Sequence, residues 1–467
     1  MTNSGKIFAR KLIRKDYFLA IFTMKPKTPP IKNRQGHLFR TELSKIINLN
    51  HPMVRLAKAV DWDRLDEVFE RTYCPDNGRP AISTRLMVAL HYLKYTFNLS
   101  DEDVVEGWVE NPYWQYLSGM KYFEHKPPLD PSSMTRWRKR VKESGAEELL
   151  KETISAGLRL KAIKKSQLKR VNVDTTVQEK FIRFPTDARL YDRARSTLVR
   201  LAKERGINLR QNYNRLSRNM LINQSRYARA RQMKRAARCT RKLRTMLGRV
   251  IRDIQRKYPD PDKTLKSALE IGWRIFTQQK GDKKKIYSVH EPQVECISKG
   301  KAHKRYEFGC KVSVAATSKG GWFVGAKAFH GNPYDGHTIS LALDQVERLS
   351  STKPEHVYVD QGYRGHNYTD KGIKVHVDKF RRGRIARSLW RWMKRRAAIE
   401  PGIGHLKHEH RMDKNRLKGV LGDCINAILS AAGMNFHKLL LWLAAFLCQI
   451  YMELLTDPKA VSQGQSA

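Results

Sequence analysis

Residues Leu168–Phe181 read LKRVNVDTTVQEKF. Valine alternates with polar residues and β-branched side chains dominate, a period of two that marks a strand with one buried face. The apolar alternation of Val171, Asn172 and Val173 runs into Asp174. An acid is thereby expected at the C-terminal part of a strand, where the chain leaves a sheet and where ligands collect. A strand-end aspartate is also a common turn former, so the position alone does not decide its role.

Downstream, strands are expected at KIYSVH (285–290), VECISKG (294–300), YEFGCKVSVAAT (306–317) and GWFVGAKAF (321–329). The last two flank the turn signal SKGG and suit an antiparallel hairpin. A helix over HTISLALDQVERLS (337–350), a strand HVYVD (356–360), a short strand IKVHVD (373–378) and further helices close the chain. Strands followed by alternating strand and helix predict an α/β fold with a mixed sheet.

Upstream, the periodicity is helical from about Leu38 to Ile163, with a capped start at Ser100 in SDEDVVEGWVE. Beyond the break HKPPLDPSS, a helix capped by Ser132 or Ser133 gathers Arg136, Arg138, Lys139 and Arg140 on one short element, as a DNA recognition helix does. Between Asp187 and Lys257 there are 22 Lys/Arg against 4 Asp/Glu, with apolar residues at helical intervals. A basic helical hairpin laid along phosphates, with Arg229, Lys234, Arg235 and Arg238 among its DNA-facing cations, fits this pattern. It reads as an insertion after the first strand.

The expected division is an N-terminal extension over 1–37, poorly ordered and containing a second start at Met24, then an all-α DNA-binding domain over 38–165. A mixed-sheet α/β domain follows over 166–442, with the insertion at about 187–258, and a helix end and tail over 443–467. LLLWLAAFLC (439–448) is too short an apolar run for a membrane span and suits a core helix.

The 467 residues carry 91 Lys+Arg against 45 Asp+Glu, a net charge of +46 with pI near 10.2, and are 40% hydrophobic. Cores can form, and so large a cationic excess calls for a polyanionic partner. Cations run the whole length rather than along one amphipathic helix, which favours nucleic acid over a membrane surface. The six scattered cysteines, Cys74, Cys239, Cys296, Cys310, Cys424 and Cys448, show no close-spaced metal or redox pair and suit a reducing compartment.

Two further acids matter. Asp360 follows the alternation VYV, and its successors QGYRGH supply glycine turns that let backbone approach a ligand, so it is preferred over Asp378 at the end of IKVHVD. Glu400 is the sole carboxylate of RAAIEPGIGHLK (396–407), and Met393, Arg396, Glu400 and Lys407 fall on roughly one helical face, although Pro401 interrupts it. Carboxylates from separate elements can hold a pair of divalent ions for in-line attack on a phosphodiester. Asp335 and His337 are expected to cap the next helix or to border the active site, with capping preferred, and Arg364 and His366 to lie near DNA. His405, His408 and His410 are expected to be solvated or phosphate-facing. Of Trp390 and Trp392, one should pack and one be solvated. A non-catalytic DNA-binding protein, or a nuclease that only cuts, would use the same features.

Three stretches together resemble insertion-sequence transposases of the DDE type: VNVDTTVQEKFIRFPTDARLYDRAR, AFHGNPYDGHT with VYVDQGYRGH, and RRAAIEPGIGHLKHEHRMDKNRLKG. The resemblance extends from about Leu38 to about Trp442. It implies an RNase H-like catalytic domain, a helical N-terminal domain, and a triad of Asp174, Asp360 and Glu400 binding two magnesium ions, with manganese able to substitute. Arg396 and Lys407 would lie on the DNA backbone, in a signature whose tyrosine position is Met393 here. The implied reaction is nicking of double-stranded DNA at element ends, then attack of the freed 3′ hydroxyl on target DNA. The implied setting is a homodimer or higher oligomer in the bacterial cytoplasm, associated with the nucleoid.

Overall fold

A helix with apolar residues on every side must be buried, and two such helices organise this molecule. Helix Thr84–Thr96 buries nearly every residue from Leu86 to Thr96. Helix Gly419–Thr456 packs against it and against helices Pro52–Ala59 and Ser132–Arg159. The structure, a computed structural model, describes residues 23–24, 40–73, 79–298, 305–366, 368–370, 372–378 and 386–456. The expected N-terminal extension lies outside them apart from strand β1 (Thr23–Met24), which pairs with β2 (Arg79–Pro80).

Local signals account for the N-terminal helices. Ser100 and Asp103 form the expected capping box, each side chain accepting the other's backbone N–H. Helix Ser132–Arg159 begins differently: neither serine caps it, and Ser132 is its first residue, its N–H donated to Asp130 Oδ1 at 2.9 Å. A non-helical residue, Lys142 (φ 59°), separates its basic first segment from the rest of the helix.

Gly419–Leu447 is long and apolar enough to cross a membrane by length and composition. Here it serves as a core helix, with Ala427, Ile428, Ala431, Phe436 and Leu439 at 1% exposure or less. At Gly433 a Cβ would stand 2.6 Å from the Tyr95 backbone carbonyl carbon, so only glycine allows the two buried helices to approach this closely. Asn435 accepts the Phe323 N–H (2.9 Å) and donates to the Phe323 carbonyl (2.7 Å), fixing a strand to the same helix. One continuous apolar cluster therefore joins the N-terminal helices to the sheet. The expected boundary at 165 divides the sequence but not the core, and the one at 442 falls inside a helix.

The sheet holds β3 (Arg170–Lys180), β4 (Glu295–Ile297), β5 (Glu307–Thr317), β6 (Phe323–Phe329), β7 (His356–Val359), β8 (Lys374–Val377) and β9 (Lys414–Asn415). The main path runs β4-β5-β3-β7-β8, with β6 on β5 and β9 on β3. β3 is antiparallel to β5, and β5 to β4 and β6, whereas β7 is parallel to both β3 and β8. The mixed sheet and the β5–β6 hairpin are as expected.

KIYSVH forms no strand. The Gln278 side-chain amide takes both backbone groups of Ile286, at 2.9 and 3.2 Å, and Ile286 buries itself among helices instead. Those helices are the insertion: Asp187–Glu204, Asn214–Arg229, Met233–Lys257 and a fourth, Lys263–Thr277, beyond the expected end near 258. Leu198, Leu247, Ile251 and Leu265 lie in a hydrophobic core of its own, separate from that of the sheet.

Candidate active site

Strand register brings the first two acids together. β3 and β7 pair as Arg170 with His356, Val171 with Val357 and Asn172 with Tyr358. Two residues beyond the last of these pairs, along each segment, stand Asp174 and Asp360. Parallel strands in register carry matched residues on the same face, about 4.8 Å apart. β7 ends at Val359, so Asp360 does leave the sheet. Asp174 does not: β3 continues to Lys180 against β5, and Asp174 sits mid-strand opposite Val314. It is reachable because its β7 neighbour stops there.

Asp360 Oδ1 accepts the Gly362 N–H at 2.9 Å, capping a 3-10 turn over Gln361–Tyr363. A Cβ on Gly362 would lie 3.1 Å from both Asp360 Oδ1 and Asp335 Oδ2, so a bare backbone fits best between two carboxylates. Asp335 borders the site rather than capping its helix. Its Oδ1 accepts from Thr175 Oγ1 (3.0 Å) and Lys311 Nζ (2.9 Å). Burial, with the charges of Asp174 and Asp335, pushes the Tyr363 phenol pKa far up and keeps it protonated.

The third acid arrives on two helices, Arg387–Arg396 and Ile399–His408, rather than on one helical face. The break falls at Ala397–Ala398, ahead of Glu400. Pro401 then lies in the first turn of the second helix, where its missing N–H leaves nothing unpaired. Asn172 Nδ2 donates to the Arg395 carbonyl at 2.9 Å and so seats the end of the first helix on β3. Arg396 next to it, 13% exposed, places Nη1 3.9 Å from Asp174 Oδ2, Nη2 3.1 Å from Glu400 Oε1 and Nε 3.8 Å from Asp378 Oδ2. One guanidinium thus spans Asp174, Glu400 and the acid set aside in favour of Asp360. The Glu400 side chain is 60% exposed.

The other expected residues divide by burial. Arg136 and Lys139 are exposed, and the half-buried Arg140 lies over the Tyr73 ring at 4.6 Å. Arg138 is a correction: at 4% exposure it is held by Asp101 (2.9 and 2.5 Å) and Thr135 (2.9 Å), a core ion pair rather than a DNA-facing cation. Arg229, Lys234, Arg235 and Arg238 are all exposed around the turn that joins two insertion helices. Arg364 is exposed and Lys407 half-buried. Met393 is buried at 8%, inside the protein rather than facing a ligand.

His405 is exposed and bonded to Glu409 at 2.6 Å, and His408 is exposed. His410 departs from expectation, fully buried with Nδ1 2.8 Å from the Tyr95 carbonyl. Trp392 packs beside Arg170 (4.9 Å) and Tyr358, while Trp390 is 39% exposed. Cys239, Cys310 and Cys424 are buried free thiols; Cys74 and the side chain of Cys448 lie outside the described residues.

Two families match the chain: a Transposase domain (DUF772) over residues 41–140 and a Transposase DDE domain over residues 273–435. The second takes in Asp335, Asp360 and Glu400; Asp174 precedes it, on the far side of the insertion. An uncharacterized protein of Rhizobium meliloti, ORF8 in the nfe locus, is 52% identical over 209 residues, which is the whole of that protein and 45% of this chain. No solved structure matches. A transposase-type helical region followed by a DDE domain that takes in Asp360 and Glu400 places the chain in one family: it belongs to the insertion-sequence transposases of the DDE type.

Proposed function

We propose that this transposase binds the ends of its element and carries out both DNA cleavage and strand transfer, with Asp174, Asp360 and Glu400 as a metal-binding triad on an RNase H-like core. The observation that carries this reading is the placement of acids from separate elements: Asp174 and Asp360 each two residues beyond the last pair of the parallel strands β3 and β7, and Asp174 and Glu400 reached by one guanidinium. That guanidinium also tests the fit, because a cation already stands where the carboxylates require one. An all-carboxylate donor set suits hard ions such as magnesium, with manganese as substitute. When bound, a pair of such ions would activate the attacking oxygen and neutralise charge on the reacting phosphate.

The protein's own contribution is position and charge. Asp174 stands within β3 and Asp360 directly after β7, whereas Glu400 lies on an exposed helical turn. Tyr363, held protonated, takes no part as a base. Arg396, Lys407 and Arg364 bind phosphates beside the triad; Arg136, Lys139 and Arg140 touch the element ends; the insertion cations follow the backbone further along. Paired element ends call for a homodimer or larger assembly, acting in the bacterial cytoplasm.

The test is magnesium-dependent cleavage of a DNA fragment bearing the element's own ends. Asp174→Asn, Asp360→Asn and Glu400→Gln should each abolish cleavage while binding to the ends persists. Cleavage that survives these substitutions would overturn the triad. Pre-nicked ends then separate transposition from simple cutting: failure to join them to target DNA would leave only a nuclease.

A further inference from the structure

We propose that Cys310, His330 and Asp423 form a second metal site, of a class suited to zinc, that ties the sheet to helix Gly419–Thr456. The three come from separate elements: Cys310 from β5, His330 from just beyond β6 and Asp423 from the start of the helix. Their ligand atoms all lie within 4.8 Å of one another. Thiolate, imidazole and carboxylate together suit zinc, with water in a fourth position, and are a poor set for magnesium. The site is thus distinct in chemistry from the triad, and it does not rest on the reading of the triad.

Two observations point to an ion. Both ring nitrogens of His330 are buried and lack a hydrogen-bond partner. Nε2 faces Asp423 Oδ2 at 3.7 Å, beyond hydrogen-bond range. The charge balance points the same way. Lys180, 3% exposed, lies between Glu291 Oε2 (3.1 Å) and Asp423 Oδ1 (2.8 Å), so two buried carboxylates share one ammonium. Asn415 Nδ2 also donates to Asp423 Oδ1, at 2.7 Å, which leaves Oδ2 turned toward His330.

Without an ion both ring nitrogens stay buried and unbonded, and an orphaned buried polar group costs about 1–3 kcal/mol. Gln178 Nε2 donates toward Cys310 Sγ at 3.7 Å, the polarity a coordinated thiolate requires. On binding, the Cys310 proton passes to solvent and a metal–sulfur bond takes its place. The two charges of the ion then offset the new thiolate and the surplus carboxylate charge. Ligands of tetrahedral zinc lie about 3.3–3.8 Å apart, and His330 Nε2 and Asp423 Oδ2 already stand at such a spacing, 3.7 Å.

The test uses the full chain, free of any histidine tag. After exposure to zinc and desalting, mass spectrometry should find one equivalent per chain. Cadmium in its place should raise the ultraviolet band of a thiolate–cadmium bond. Cys310→Ser should abolish the band, and His330→Gln should weaken zinc binding at least tenfold; Cys424→Ser and Asp174→Asn should leave both unchanged. The partly exposed His330 gives an independent variant should Cys310→Ser fail to fold. No retained zinc in the unaltered chain, or a full cadmium band in Cys310→Ser, would overturn the proposal.

Discussion

Replacing Arg396 by glutamine should tighten divalent-ion binding even as it weakens DNA binding. The guanidinium stands 3.1–3.9 Å from Asp174, Glu400 and Asp378. At an effective dielectric constant of about 20, unit charges 4 Å apart interact by about 4 kcal/mol. Glu400 is 60% exposed, which reduces its share to at most about 1 kcal/mol. Asp174 is 15% exposed and Asp378 35%, so their shares lie between those limits. An ion entering the cluster must displace Arg396 or sit beside it. Removing this charge should therefore favour the ion by about 1–3 kcal/mol, or about 5- to 150-fold in Kd. Manganese binding followed by electron paramagnetic resonance, or magnesium by calorimetry, measures this without reference to activity. An unchanged or weaker affinity in folded Arg396→Gln would refute the view that Arg396 occupies the place of a metal charge.

Neutralising Arg229, Lys234, Arg235 and Arg238 together should flatten the dependence of DNA affinity on salt, by about 0.9 in log–log slope for each phosphate that no longer meets a cation. An unchanged slope would assign the insertion a structural role. Arg138→Ala should destabilise the fold by about 1–3 kcal/mol, because it removes one of two cations bonded to the half-buried Asp101 and leaves Lys94 as the other, whereas Arg136→Ala should leave the unfolding midpoint alone. Burial by itself would raise the Asp101 pKa, but hydrogen bonds and charges from Arg138 and Lys94 outweigh it and hold the carboxyl below its ordinary range. Its stabilising contribution is thus complete above pH about 4 and is lost as acid lowers the pH below that value. Urea unfolding from pH about 5 to about 2 should show this limb in the parent and lose it in Asp101→Asn; parallel curves would count against the pairing.

Alternation made β3, β5, β6, β7 and β8 legible, and with them the two strand acids. What it could not show was length against a neighbour. Nothing in VNVDTTVQEK says that β7 stops where β3 continues, so Asp174 reads as terminal when it is mid-strand. KIYSVH has the composition of a strand but gave up its backbone groups to Gln278, a partner eight residues away that no periodicity reveals. Arg138 looked like its exposed neighbours because charge says little about which face of a helix turns inward; Asp101 across the interface decides that. His410 misled for the same reason, its acceptor being a carbonyl 315 residues away. Asp335 had a visible signal, an acid at a helix start, but capping explained it until Thr175 and Lys311 were seen beside it.

The long apolar helix Gly419–Thr456 has a genetic consequence. Because its buried face completes the packing of both the N-terminal helices and the sheet, a stop codon anywhere before it removes the support of regions encoded hundreds of nucleotides upstream. Truncated copies should then yield insoluble or degraded fragments rather than competitors that occupy element ends without cutting, and a soluble, folded product ending at residue 418 would contradict this. Decay of the gene from its 3′ side would silence the element without poisoning its intact siblings.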